Sequence, residues 1–365
     1  MAQEDALWAT GAMSGTSLDG VDWATVLTDG IDILEFGASG YRPYTSQEQS
    51  VLRTALGSWP NEGSNILAPA FDIVMNSHRE ALLNAQDELV GFHGQTLNHD
   101  PATKRSFQLG DGAKLAQALQ RPVVWDFRSA DVAAGGQGAP LAPFYHHALA
   151  RWAKLEGPVA FLNLGGVGNI TWIEDPITVP ENVGNLVAFD TGPANAPIND
   201  LMALFFQKPF DAGGAVAAKG KIMDTYVHDL LAHPYFDRPS PKSLDRNAFE
   251  SSLLALTSLR PEDAVATATA WVSASVKIGM DRLPKRPKQV LVCGGGRQNP
   301  QIMAQLSQAL ETVVAPIESI GIDGDMLEAQ AFGYLAVRTL KGLPLSAPGT
   351  TGVARPLIGG QISRP

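Results

Sequence analysis

Apolar positions along this chain repeat with two periods. Short alternating or continuous runs, "LWATGAM", "DWATVLTDG", "DELVGFHGQ", "RPVVWDF", "PVAFLNLGG", "GNITWIE", "NLVAFDTG" and "KQVLVCGGG", end in Gly-rich or polar turns and predict strands. Residues 67–86, 111–120, 263–282 and 300–311 are amphipathic or Ala-rich and predict helices. Strands interleaved with helices make the class α/β. A hairpin of strand, Gly-rich turn and strand stands at residues 7–27 and again at 158–174, which reads as an internal duplication with one hairpin opening each lobe. The stretch "ARWAKLEGP" (150–158) is the expected boundary, giving an N-terminal lobe over 1–150 and a C-terminal lobe over 151–346. The end of the chain, "APGTTGVARPLIGGQISRP" (347–365), has little periodicity and is expected to be a surface or partly disordered tail to which the sequence assigns no role.

Composition narrows the function classes. At 365 residues and 45% hydrophobic content the chain can bury a large core, and its length favours two lobes. A net charge of −10 argues against general nucleic-acid binding, which needs a basic face. The single cysteine, Cys293, excludes an intramolecular disulfide and a cysteine-rich metal site. No stretch approaches the roughly 20 uninterrupted apolar residues of a membrane span. "MAQEDALWATGAM" has its acidic residues first, the wrong order for a secretory signal, so the cytoplasm is the expected location.

Three glycine turns follow apolar strands. The first holds Ser14, Gly15, Thr16, Ser17, Asp19 and Gly20, where backbone N–H groups and hydroxyls can meet an anion. The same residue types also build ordinary hairpin turns, and no Gly-Lys-Ser/Thr follows. The second, "LNLGGVGNI", carries Gly165, Gly166 and Asn169, and the third, "VLVCGGGRQNP", carries Gly294, Gly295 and Gly296. Three consecutive glycines exceed what one turn needs, so something is expected to approach the backbone there. Together the turns suggest a nucleotide in a cleft between two lobes.

Several residues near these turns can do chemistry. Asp190 ends an apolar strand, where a carboxylate can serve as a general base or cap the next element. His93, Gln95, Thr96 and His99 lie beyond another strand, without the i, i+4 spacing of a helical metal pair, and read as a hydrogen-bonding loop. Asp126, Arg128 and Asp131 precede "GGQGAPL". Arg128 can hold an anionic group such as a substrate carboxylate, or be locked in a structural pair with Asp126 or Asp131. Glu328 opens a helix near the C-terminus and is the member of "DGDMLEAQAF" expected to reach the cleft.

The strings "MSGTSLDGVD", "HGQT..H.P", "DFR..D.A.GGQGAPL.P..H", "NLGG..NIT", "FDTGP.N", "CGGG..NP" and "EA.AF..LA" fall in order along residues 11–337. As a set they resemble the anhydro-N-acetylmuramic acid kinases of bacterial peptidoglycan recycling. The resemblance implies a two-lobed, duplicated actin/hexokinase-like fold with an interlobe ATP cleft. It implies a cytoplasmic homodimer that uses ATP and Mg²⁺ to open the 1,6-anhydro ring of an amino sugar with water and phosphorylate O6. By the same resemblance Asp190 is the catalytic base. Gly15, Thr16, Ser17, Leu18, Asp19, Gly20, Val21 and Asp22 would cradle phosphates, with Gly165, Gly166 and Asn169 as the second phosphate loop. Gly294, Gly295 and Gly296 would lie beside adenosine, and Gln95, Thr96, Arg128, Asp131 and Glu328 would contact the sugar. Ligands for Mg²⁺ stay open: Met13 stands where many relatives in the wider superfamily carry Asp, and Asp19, Asp22 or water can substitute. Ala194 stands where the pattern leads one to expect Gly. Two rivals need the same fold, an ordinary hexose kinase and a non-catalytic nucleotide-regulated binding protein.

Overall fold

The computed structural model describes residues 5–61, 63–85, 87–244 and 246–365. The chain forms two compact units, one of residues up to Lys154 together with Met326–Pro365, the other Leu155–Asp325. Among the described residues the first unit contains strands β1 (Leu7–Ser14), β2 (Gly20–Thr28), β3 (Ile33–Pro43), β4 (Leu89–Asp100), β5 (Arg105–Leu109) and β6 (Val123–Trp125). The second contains β7 (Val159–Leu164), β8 (Val167–Ile173), β9 (Leu186–Pro193), β10 (Gln289–Cys293) and β11 (Val313–Pro316), and β12 (Gln361–Ser363) returns to the first.

The two sheets share one plan. In the first unit the order is β12-β6-β4-β1-β2-β3, with β5 paired to β4; in the second it is β11-β10-β7-β8-β9. In each, the opening three strands form an antiparallel meander, β1-β2-β3 or β7-β8-β9. Two further strands then add in parallel beside the first, β4 and β6 or β10 and β11. The expected α/β duplication is therefore present strand for strand, including parts no periodicity marked, such as the long β3 and the short β11.

Small residues decide how the first sheet is covered. The helix Leu327–Leu340 packs with its backbone almost on β1 and β4. A Cβ on Gly11 would lie 1.9 Å from the Ala329 carbonyl oxygen, and one on Gly91 would lie 2.1 Å from that of Phe332. This helix was expected in the C-terminal lobe; it belongs to the first unit because those glycines form its seat. Gly91→Ala should therefore cost about 1–3 kcal/mol or more by overpacking. At about 2–4 °C per kcal/mol this lowers the melting temperature of the unit by roughly 2–12 °C in calorimetry. An unchanged melting curve would show that the helix is not seated this closely.

The second unit is built on the helix Pro261–Asp281, which starts with Pro at its first position and carries Glu262 and Asp263 in its first turn. Trp271, Val272 and Val276 are buried with Trp172 and Phe189 of the sheet. Two of its buried hydroxyls return to carbonyls one turn back, Thr269 to Val265 at 2.8 Å and Ser275 to Trp271 at 2.8 Å, which satisfies them inside the core. The other expected helices fall at Ser64–Leu82, Gly112–Leu119 and Pro300–Ala309.

The end of the chain is not a loose tail. Ser346 bridges to Leu357, Thr350 and Thr351 are buried, and β12 runs antiparallel to β6. Its Gly and Pro residues conceal a fixed path, with partners in β6 and at Asp131 that lie more than 200 positions earlier. No described helix is long and apolar enough to cross a membrane.

Candidate active site

In the first unit the β1–β2 turn presents Gly15, Thr16, Ser17 and Asp19 at the surface. Leu18 turns inward with φ 59° and joins the core, as does Val21, so these two offer only backbone to a ligand. Ser17 donates to Asp19 at 2.7 Å, and the Asp19 carbonyl accepts from the Tyr44 N–H at 2.8 Å and the Tyr41 hydroxyl at 2.6 Å. Gly20 is required by close approach, because a Cβ would lie 2.4 Å from the Tyr41 ring. Asp22 is partly buried in β2 opposite Met13. The turn is thus pinned from β3 with its donors outward.

Gln95 holds the same turn from β4. It is fully buried, its Oε1 accepts from Ser14 at 2.6 Å, and its Nε2 donates to the carbonyls of Gly15 at 3.1 Å and Thr96 at 3.2 Å. Both ends of the amide are used, so Gln95 holds the β1–β2 turn and, fully buried, offers no exposed surface for the sugar contact that the resemblance implied. Thr96 is partly exposed, its hydroxyl accepting from Gln108 at 3.2 Å.

Arg128 stands at the end of the short loop after β6. Its Nη1 donates to the Gly138 carbonyl at 2.7 Å, while Nε and Nη2 reach His93 Nε2 at 3.1 and 3.0 Å. Arginine can only donate, so His93 Nε2 accepts, and its Nδ1 carries the proton given to the Gly94 carbonyl at 2.9 Å. Burial, and then the Arg128 charge, holds the imidazole pKa well below its ordinary value, which fixes this neutral form. Among the described residues Arg128 makes no ion pair with Asp126, Asp131 or any other carboxylate; burial lowers its pKa to about 10, against the attraction of Glu328 and Asp131. A guanidinium so placed favours an incoming anion.

Asp131 is buried and committed: Oδ1 accepts from the Gly138 N–H at 2.7 Å and Oδ2 from the Thr351 hydroxyl at 2.6 Å. It braces a loop and, buried, offers little exposed surface for the sugar contact that the resemblance implied. Glu328 is exposed in the first turn of its helix. His99 hydrogen-bonds Ser106 and Gln137, each at 2.9 Å, as a loop-bracing histidine should. A recess of about 190 Å³ beside these groups is lined by His93 and Gly94, Ser106 and Gln108, and Asp126 and Ser129.

In the second unit the β7–β8 turn exposes Gly165 and Gly166, whose carbonyls accept from the backbone N–H of Asn195 at 2.9 Å and Ala194 at 3.0 Å. Asn169 is partly buried in β8 and lies in register with Asp190 of β9. Ala194 is fully buried at φ −129° and ψ −111°, a negative φ that does not itself call for Gly. Of the three consecutive glycines, Gly294 and Gly296 are needed by the protein itself. A Cβ on Gly294 would lie 2.2 Å from Asn163 Oδ1, and one on Gly296 would lie 2.5 Å from Leu164 Cβ. Only Gly295 is exposed to a ligand. Arg297, which no pattern singled out, fixes this loop through the Gly294 carbonyl at 3.1 Å, Glu318 at 2.6 Å and Asp325 at 2.9 Å.

Asp190 is held at both backbone ends. Its N–H donates to the Lys242 carbonyl at 3.0 Å and its carbonyl accepts from the Tyr235 hydroxyl at 2.5 Å. The Leu244 N–H donates to Oδ2 at 2.7 Å, and no hydrogen bond to Oδ1 is made among the described residues. Burial pushes the carboxyl up to about 7, opposed by the Leu244 N–H and by the charge of Lys242. Lys242 is itself buried, its ammonium donating to the Tyr235 carbonyl at 3.0 Å and lying 4.2 Å from that ring's centre. Burial lowers the pKa of Lys242 to about 8, with Arg282 and Arg238 adding to the effect. A lone lysine in "SPKSL" offers no periodic or motif signal, and only its proximity to Asp190 reveals it.

No group of three or more His, Cys, Asp or Glu able to hold a metal occurs among the described residues. Mg²⁺ commonly needs only one or two carboxylates besides phosphates and water, and Asp19 on the exposed turn, with Asp22 near it, fits that demand.

A family model described as "Anhydro-N-acetylmuramic acid kinase" matches residues 8–365. A relative of that name from Cereibacter sphaeroides is 56% identical, covering 100% of this chain and 98% of its own. Another from Ruegeria sp. is 52% identical over 98% of this chain and 95% of its own. Among solved structures, the activator of the 2-hydroxyisocaproyl-CoA dehydratase from Clostridium difficile with bound ADPNP aligns with 92% of this chain and 96% of its own, at 13% identity and a TM-score of 0.44.

Proposed function

Since the chain belongs to the anhydro-N-acetylmuramic acid kinase family, we propose that it couples hydrolytic opening of the 1,6-anhydro sugar to phosphorylation of O6, with Asp190 as the base. Water adds to C1 and gives a proton to Asp190; the C1–O6 bond breaks; O6 attacks the γ-phosphorus of ATP; the bond to the β-phosphate oxygen breaks. The products are N-acetylmuramic acid 6-phosphate and ADP. The water step is the base half of an inverting glycosidase, and the second is in-line phosphoryl transfer. No separate acid is needed at O6, because phosphorus takes over its charge.

The observation that carries this reading is the Asp190 carboxylate, fixed through Oδ2 and with Oδ1 not engaged by the described residues. Gly15, Thr16, Ser17 and Asp19 serve the phosphates, with Gly165 and Gly166 as the second loop and Gly295 beside adenosine. Asp19 or Asp22 would hold Mg²⁺ together with the phosphates, and the ion would supply charge neutralisation there. Arg128 takes the lactyl carboxylate of the sugar, with Thr96 and Glu328 on the same substrate. Work in the cytoplasm as a homodimer belongs to the same reading; a monomer in sedimentation at micromolar concentration would contradict the dimer.

The test is ADP release with Mg-ATP. It should depend on 1,6-anhydro-N-acetylmuramic acid and be absent with glucose; release with glucose alone would favour an ordinary hexose kinase. The pH profile adds a sign. A base must be ionised, and a pKa near 7 leaves about one-tenth of Asp190 ionised at pH 6. The kcat/KM should thus fall about tenfold per unit below pH 7, and a flat profile down to pH 5 would remove Asp190 from the role.

A further inference from the structure

The C-terminal segment encloses the Arg128 loop from both sides. Before Arg128, β12 pairs with β6, the Gln361 amide donates to Asp126 at 2.7 Å, and Trp125 donates to Ser363 at 3.1 Å. After Arg128, the Thr351 carbonyl accepts from the Gln137 N–H at 2.7 Å, and the Thr351 hydroxyl donates to Asp131 at 2.6 Å. Asp131 in turn accepts from the Gly138 N–H at 2.7 Å, and the Gly138 carbonyl accepts from Arg128 Nη1 at 2.7 Å. Thr351 and Asp131 are buried, and Gly138 is held at φ 68° with its missing Cβ 2.4 Å from Val132. Gly136 is equally confined: a Cβ there would lie 2.6 Å from Val353 of the same segment.

We infer that Thr351 is a positioning residue for the sugar, setting the Arg128 guanidinium through Asp131 and Gly138, and that the C-terminal segment is a working part of substrate selection. The direct contacts of Arg128 are a neutral histidine nitrogen and one peptide carbonyl. Neither supplies the strong orienting pull of an ion pair, so the direction of the fork depends on where the 136–138 loop is held. A buried carboxylate shared by one N–H and one hydroxyl is a stiff anchor while both donors remain. Removing the hydroxyl leaves Asp131 under-satisfied and lets the loop shift toward other donors. The expected consequence is a misaligned guanidinium with the rest of the unit folded.

This inference rests on the reading that Arg128 takes the lactyl carboxylate, and the test separates the two. With the full chain and Mg-ATP, KM and kcat are measured for 1,6-anhydro-N-acetylmuramic acid and for 1,6-anhydro-N-acetylglucosamine, which lacks the lactyl group. Thr351→Val should raise KM for the muramic substrate by on the order of tenfold. It should reduce the preference for that substrate by a similar factor and leave KM for ATP within about twofold. Thr351→Ser, which keeps the hydroxyl, should restore both values. Thr351→Ala, smaller and without the hydroxyl, must show the same split and stands in if the valine variant does not fold. If Arg128→Gln abolishes the preference while neither hydroxyl-free variant alters it, the positioning role is wrong and the Arg128 reading stands. If Arg128→Gln leaves the preference intact, both are overturned.

Discussion

Asp190→Asn is expected to slow substrate-dependent ADP release by roughly 10²–10⁴-fold, the usual contribution of a general base, while ATP still binds. The amide oxygen can accept the Leu244 N–H as the carboxylate does, so the strand end keeps its geometry and only the proton acceptor is lost. The same variant carries a stability signature. The folded carboxyl pKa of about 7 stands above its ordinary 3.8, so the proton is bound more tightly in the folded state. The associated stability is present below pH 3.8 and disappears as pH rises through 7. Asp190→Asn should accordingly melt above the unaltered chain at pH 8, with the gap closing toward pH 4. A variant that melts lower at pH 8 would place Asp190 in a stabilising ionised interaction and deny it the strained state of a base.

Arg128→Gln is expected to raise KM for the anhydro sugar by on the order of 10²-fold, as loss of one member of a desolvated charge pair does. Its effect on kcat should be much smaller. The guanidinium makes no ion pair with a carboxylate among the described residues, although Glu328 and Asp131 attract it, so an anionic substrate meets its charge without displacing a bonded carboxylate. Arg128→Lys should recover little, because an ammonium cannot reproduce a fork that bonds His93 and Gly138 together. Steady-state kinetics with sugar varied at saturating ATP distinguishes this from a folding defect, which would lower the active fraction and leave KM unchanged.

Both hairpins, the strand end that carries Asp190 and the exposed β1–β2 turn were legible because each is a local pattern, an apolar run ending in small polar residues. Residues whose roles depend on distant partners were misread. Gln95 spends its amide on Ser14, 81 positions away, and Asp131 spends a carboxylate oxygen on Thr351, 220 positions away. Neither commitment leaves a periodic trace. Gly294 and Gly296 were rightly singled out as unusual, and the end of β7 approaches both of them closely. Lys242 was missed because nothing in its neighbours announces burial beside a carboxylate. The Leu327–Leu340 helix looked like a C-terminal-lobe element by order alone, whereas Gly11 and Gly91 give it a seat on the first sheet. Sequence order is a weak guide to packing when a chain returns to its first unit.

The most direct measurement of the coupled reaction is a single turnover in ¹⁸O-water with Mg-ATP and 1,6-anhydro-N-acetylmuramic acid, quenched within seconds before the anomeric oxygen exchanges. Mass spectrometry of the sugar phosphate should find ¹⁸O at C1 and none on phosphorus, with the label and the product both lost in Asp190→Asn. Label on phosphorus, or an unlabelled C1 in a 6-phosphate formed at the normal rate, would contradict the addition of water at C1.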